Sequence, residues 1–275
     1  MSHAAYDPRC RISVDDTIWC LRDVALHAKE SIFENGFLRF WKDLHEDYGA
    51  QVQFNIYYED LDTGWTIAEM PDRFRAEWQA CSEWLRLTFH ARADRPNAPY
   101  ASADYATVDR DMRMVTEQIV RFAGESSLSS MTTIHWGAAT REGCRALRDN
   151  GIDALAGYFE IHDGKPYVAY YHDVERTAYI GSRDMWRDDE AGLLFVKLDL
   201  VLNLITLSDV IPRLEEISRR ADESEVLELM IHEQFFYPRY CSYQPDAAQK
   251  VVEAARWARE RGYRWAFYEE WRAEY

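Results

Sequence analysis

Arg11-Ile12-Ser13-Val14-Asp15-Asp16-Thr17 reads as a short, mainly apolar strand that runs out into two adjacent carboxylates. The same pattern recurs along the chain. The run 85–90 ends in His90, with Asp94 four residues on; the run 131–135 ends in His135; the run 226–232 ends in His232, followed by Glu233. Further short apolar runs lie at 51–58, 154–159, 193–198 and 264–268. Between them lie longer amphipathic stretches, expected as helices at 21–48, after Pro71, and at 105–122, 140–150, 208–220 and 246–261. Gly49, Gly124, Gly151 and Gly262 follow four of these as stop signals. Strands alternating with helices predict an α/β fold, a seven- or eight-stranded parallel β/α barrel. A doubly wound open sheet is the rival arrangement. Residues 160–171 are expected to form a β-hairpin turning at Asp163-Gly164, within an insertion at about 160–190. The whole of 1–275 is expected to be one domain.

In a parallel α/β fold the carboxyl ends of the strands meet on one face. Asp15, Asp16, His90, Asp94, His135, His232 and Glu233 are therefore expected in one pocket despite their wide separation in sequence. Taken singly, each has a structural explanation: Asp16 or Thr17 as a helix N-cap, Glu233 as an acceptor of backbone N–H groups, a strand-end His as a hydrogen-bonded one. Their coincidence on four strands is what points to a site. His27, His45, His162, His172 and His3 fall elsewhere and are expected to be structural or solvated.

The 275 residues carry a formal charge of −16, which repels nucleic-acid phosphates and anionic lipid and tolerates divalent cations and neutral substrates. Cys10, Cys20, Cys81, Cys144 and Cys241 are odd in number and show no paired spacing, a pattern expected of a reducing compartment. The N-terminal residues lack a basic segment followed by an apolar run, and no stretch has the length of a membrane span; a cytoplasmic protein is expected. Oligomeric state is not legible. Ten Trp and 17 Tyr include candidates for stacking on a sugar face: Trp19, Trp65, Trp136 and Trp186. Trp41, Trp78, Trp84 and Trp257 are expected in the core, and Tyr237 and Tyr240 on a loop over the pocket.

At the strand ends the chain resembles the polysaccharide deacetylase (NodB-homology) superfamily. Asp15-Asp16 matches its first motif. His90 with Asp94 stands where the second motif has two histidines, so Asp replaces the second. Thr133-Ile134-His135-Trp136-Gly137 occupies the place of the third, Met230-Ile231-His232 that of the fifth, and Arg183-Asp184-Met185-Trp186 lies near the place of the fourth. The stretches 89–92, 132–137 and 229–238 are also similar to a bacterial subgroup of that superfamily. The resemblance implies a deacetylase-type, irregular β/α barrel and metal-dependent removal of an N-acetyl or other acyl group from a carbohydrate or amide. It implies Asp16, His90 and Asp94 as metal ligands, Asp15 as general base, His232 as general acid and the Trp136 N–H as an oxyanion donor. Arg92, Trp136, Glu233 and Tyr237 are candidate substrate contacts. The metal is expected to be Zn²⁺, with Mn²⁺ or Co²⁺ as alternatives because Asp94 makes the ligand set harder. His135 is a candidate substitute ligand. The family's base-orienting Arg is replaced by Thr133, leaving Arg92 or Arg95 to supply that contact to Asp15. The partner expected is a small carbohydrate or N-acylated molecule. A degenerate sugar-binding barrel and a metal-independent glycosidase using Asp15 and Glu233 are the alternatives.

Overall fold

Strand β1 (Arg9–Thr17) is the centre of the molecule, with β2 (Val52–Tyr57) on one side and a late strand, Val226–His232, on the other, both parallel to it. The computed structural model describes residues 7–220 and 222–274; His3 lies outside them. Beyond β2 comes β3 (Leu85–Ala91), again parallel. A second sheet pairs β4 (Met131–Thr132), β5 (Ala154–Gly157) and β6 (Leu193–Lys197) in parallel. Its edge strand, Met185–Asp188, is antiparallel to β6. The two-residue strand β7 (Leu200–Val201) pairs with β8 (Val226–His232) on the first sheet. The sheets approach each other where Leu87 bridges Leu128 and where the chain passes from β6 to β7. The fold is α/β with a parallel core, and the parallel strands are divided between two sheets.

Alternation along the strands sorts side chains into two populations. Ile12, Val14, Phe54, Ile56, Leu227, Leu229 and Ile231 are buried in one large apolar cluster. Their neighbours Arg11, Ser13, Asp15, Gln53, Asn55 and Glu228 are also buried, although polar. A smaller cluster contains Met131, Ala154, Ala156, Leu194, Val196 and Met230.

The helix expected at 21–48 is two helices, α1 (Trp19–His27) and α2 (Gly36–Tyr48). The break has a local cause. Ser31 and Glu34 form a reciprocal capping box, and the Asn35 side chain accepts from the Leu38 N–H at 3.0 Å to start α2 afresh. The expected strand at 264–268 is only Arg264–Trp265, paired with the start of β1, and a short helix, Tyr268–Trp271, takes over. The hairpin forms as Glu160–His162 and Lys165–Tyr167, and a helix not expected from the sequence, Val174–Gly181, follows it within the insertion. No helix among the described residues is long and apolar enough to cross a membrane.

Candidate functional site

Three local irregularities build the site. Between Val14 and Thr17 the β1–β2 register slips by one residue, and Asp16 takes φ = 61°. Adjacent strand residues normally face opposite ways; the extra residue re-aims one of them, and here Asp15 and Asp16 both line the same cavity. The β2–β3 register slips again, so that Tyr57 pairs with Ala91 and His90 is the extra residue. The third contributor is a turn after β4, where Trp136 sits at φ = 65° and the preceding residue is His135.

Asp16, His90 and His135 converge. Asp16 Oδ1 is 3.0 Å from His90 Nε2 and 3.3 Å from His135 Nδ1, and the two ring nitrogens are 3.3 Å apart. Tetrahedral bonds of about 2.0–2.1 Å put neighbouring ligand atoms roughly 3.3 Å apart, so the three donors have the spacing of one face of such a site. The outer hydrogen bonds fix the tautomers. His90 Nδ1 is 2.5 Å from the Thr133 carbonyl and His135 Nε2 is 3.0 Å from the Asp94 carbonyl. A carbonyl only accepts, so both of these nitrogens donate and the opposite ones face the cluster. The Tyr57 hydroxyl bonds Asp16 and lies 2.7 Å from His135 Nδ1. Burial opposes charge on Asp16, but its contacts with the His135 and His90 imidazoles, and the nearby His232, outweigh it and hold the carboxyl well below its usual range. His90 is likewise opposed by burial, yet the Asp15 and Asp16 carboxylates raise its pKa.

The donor set departs from the expected one at one place. The Asp94 carboxylate is half exposed, 3.4 Å from Arg95, and is not part of the cluster. The third donor is His135, from the turn after β4.

Asp15 and His232 are opposite each other across β1 and β8. Both line a cavity of about 200 Å³ with His90, Tyr158, Leu204 and Met230. Asp15 is buried, which raises its pKa, and it accepts from Asn55 Nδ2 at 2.5 Å. Asn203 Oδ1 accepts from the His232 backbone N–H at 3.1 Å and from its Nδ1 at 2.9 Å, which leaves Nε2 for a ligand. Asp16, His135 and Trp136 also line a larger groove, about 520 Å³, with Trp19, Arg22, Arg239 and Tyr240. The cluster thus stands where the two cavities meet.

Seven expected residues are placed elsewhere. Glu233 is fully buried and accepts from the backbone N–H groups of Ile18, Trp19 and Cys20 at 2.8, 2.8 and 2.6 Å. It caps the start of α1, because these N–H groups have no partner within the helix, and the glycosidase pair Asp15–Glu233 is therefore not assembled. Tyr237 packs edge-on against Trp19 at 5.4 Å and beside Phe37 instead of facing the groove. Arg92 pairs with Glu59 at 3.5 Å and Arg95 with Asp62 at 2.6 Å, so neither orients Asp15. Asp184, near the place of the fourth motif, accepts the Glu225 N–H at 3.0 Å as a structural tie. Trp65 is core, and Trp186 stacks on Phe195 at 6.1 Å. Tyr57, Asn55 and Asn203 are site residues that strand-end position does not single out; Tyr57 alone stands near the end of an apolar run, 51–58, the signal that marks the histidines.

No known family's sequence profile matches the chain, and no curated protein of similar sequence is found. Solved structures do match. The 4-alpha-glucanotransferase from Thermococcus litoralis aligns with 98% of this chain and 40% of its own at TM-score 0.61 and 11% identity. The likeness is one of fold. A family 4 acetyl xylan esterase from Clostridium thermocellum, solved with a cobalt ion, aligns with 95% of this chain and 88% of its own at TM-score 0.46 and 11% identity. A peptidoglycan deacetylase from Bacillus subtilis aligns with 97% of this chain and 91% of its own at TM-score 0.48 and 8% identity. This chain spans less than half the length of the glucanotransferase.

Proposed function

We propose that the protein is a metal-dependent hydrolase of the carbohydrate deacetylase type, acting on a small N-acylated sugar or amide within the cell. The observation that carries this reading is the meeting of an Asp-His-His donor cluster with a separate carboxylate, Asp15, and a separate imidazole, His232, at one cavity. Asp16, His90 and His135 would hold a divalent ion, Zn²⁺ first and Mn²⁺ or Co²⁺ as alternatives. Such an ion supplies Lewis-acid polarisation of the acyl carbonyl and a water that ionises near neutral pH.

The remaining chemistry belongs to the side chains. Asp15 takes the proton of the attacking water, held in one orientation by Asn55. His232 gives a proton from Nε2 to the leaving amine while Asn203 holds Nδ1. The rings of Trp19, Trp136 and Tyr240 in the larger groove offer flat faces for a sugar. The smaller cavity, with Val168, Leu198, Leu204 and Met230 among its lining, suits the apolar end of the acyl group. The five unpaired cysteines fit a reducing compartment.

The test is acid release from a panel of N-acetylated and longer N-acylated monosaccharides by the metal-loaded protein, beside Asp15→Asn and His232→Ala. The reading expects turnover in the parent and a loss of about 100-fold or more in each variant, with metal content unchanged. Bound metal with no acyl release from any member of the panel would remove the hydrolase and leave a binding protein.

A further inference from the structure

A buried file of polar side chains runs down the inside of the first sheet and ends on Asp15. Its root is Arg11, about 1% exposed and paired to the equally buried Glu228, with Nη2 to Oε2 at 2.7 Å and Nε to Oε2 at 3.0 Å. The third guanidinium nitrogen, Nη1, donates to Gln53 Oε1. Gln53 Nε2 donates to Asn55 Oδ1 at 2.7 Å, and Asn55 Nδ2 donates to Asp15 Oδ1 at 2.5 Å. Gln53 and Asn55 are both fully buried.

The direction of this file is set by chemistry. A guanidinium has donors and no acceptor. The Gln53 atom facing Arg11 must therefore be its oxygen, which turns the Gln53 NH₂ toward Asn55. Asn55 must in turn offer its oxygen to Gln53 and its NH₂ to Asp15. One fixed donor thus sets the orientation of two amides and delivers a donor to the carboxylate. Low polarity around such a network raises the cost of any reversed member.

We infer that Arg11, Gln53 and Asn55 are positioning residues that lock the Asp15 carboxylate in one orientation, with Oδ1 held and Oδ2 left for the reacting water. They take the place of a direct guanidinium contact to Asp15, which Thr133, Arg92 and Arg95 do not make. This role rests on Asp15 acting as the base, but the hydrogen-bond file can be read without any turnover.

The experiment has two arms on the full-length protein. The first is ¹H–¹⁵N NMR of the side-chain amides. One Asn55 and one Gln53 amide proton should be protected from solvent exchange, and Asp15→Asn should shift both. Two rapidly exchanging amides, or a Gln53 amide indifferent to Asp15→Asn, would overturn the inference whether or not the protein is an enzyme. The second arm uses N-acetylglucosamine, or whichever acylated sugar of the panel the parent hydrolyses. Gln53→Glu can only accept from Asn55, so the Asn55 amide turns over and presents oxygen to Asp15. The expected result is a fall in kcat of about 100-fold with KM within about twofold and metal content unchanged. Arg11→Lys, which keeps a donor-only cation, should retain most of kcat. Equal kcat in the parent and Gln53→Glu, or equal losses in Arg11→Lys and Arg11→Gln, would overturn it. Absence of turnover in the parent would count against the base and leave the NMR arm to decide the file.

Discussion

His135 Nε2 lies 3.0 Å from the backbone carbonyl of Asp94. The position that resemblance nominated as a metal ligand thus orients, through its main chain, the histidine that lies in the cluster instead. Side-chain chemistry at 94 should therefore matter little. Asp94→Ala is predicted to bind Zn²⁺ within about twofold of the parent, whereas His135→Ala should lose more than the roughly 10–100-fold typical of an outer-sphere change. Titration calorimetry with Zn²⁺ alone compares the two; a large loss in Asp94→Ala would return that carboxylate to the ligand set.

Tyr57→Phe removes one hydroxyl that touches both Asp16 and His135. The ring stays in its buried place, so the fold should survive. Metal affinity should fall by about 10–100-fold, measured against the same parent, with circular dichroism unchanged.

The Arg11–Glu228 pair is a stability element as well as the root of the Asn55 file. Removing one member leaves the other charge buried and unpaired, which typically costs about 3–5 kcal/mol. Glu228→Gln should lower stability by about that amount in chemical denaturation. A cost below 1 kcal/mol would mean that water reaches the pair.

His172 gives a pH signature separate from the site. It packs against Phe195 at 4.4 Å and beside Trp186, and burial lowers its pKa from 6.5 to about 4. A depressed folded-state pKa contributes stability that is complete above pH 6.5 and is lost as pH falls toward 4, because the unfolded chain takes up the proton first. His172→Phe should flatten the stability profile between pH 6.5 and 4; an unchanged slope in urea midpoints across that window would contradict the assignment.

The order of strands and the convergence of Asp15, Asp16, His90, His135 and His232 were legible because strand-end residues of a parallel fold share a face, whatever their separation in sequence. What stayed hidden was geometry below that level. A one-residue bulge decides that Asp15 and Asp16 point the same way, and nothing in the pair of carboxylates announces it. For Glu233 the sequence leaves two roles open, substrate contact and acceptor of backbone N–H groups, and only the position of three N–H groups of α1 decides for the second. The break between α1 and α2 was present as Ser31–Glu34 and Asn35-Gly36, signals outweighed by the continuous apolar periodicity around them. Asn55 and Gln53 were invisible as site residues because polar side chains in a central strand become meaningful only once Arg11 is seen beside them.

The most direct test of the account is the metal content of the parent, Asp16→Ala, His90→Ala and His135→Ala, purified without chelator and soaked in Zn²⁺, Mn²⁺ or Co²⁺, measured by mass spectrometry. One ion per chain in the parent, lost in all three variants, is the predicted result. No ion in the parent under any soak, or full retention in His135→Ala, would contradict it.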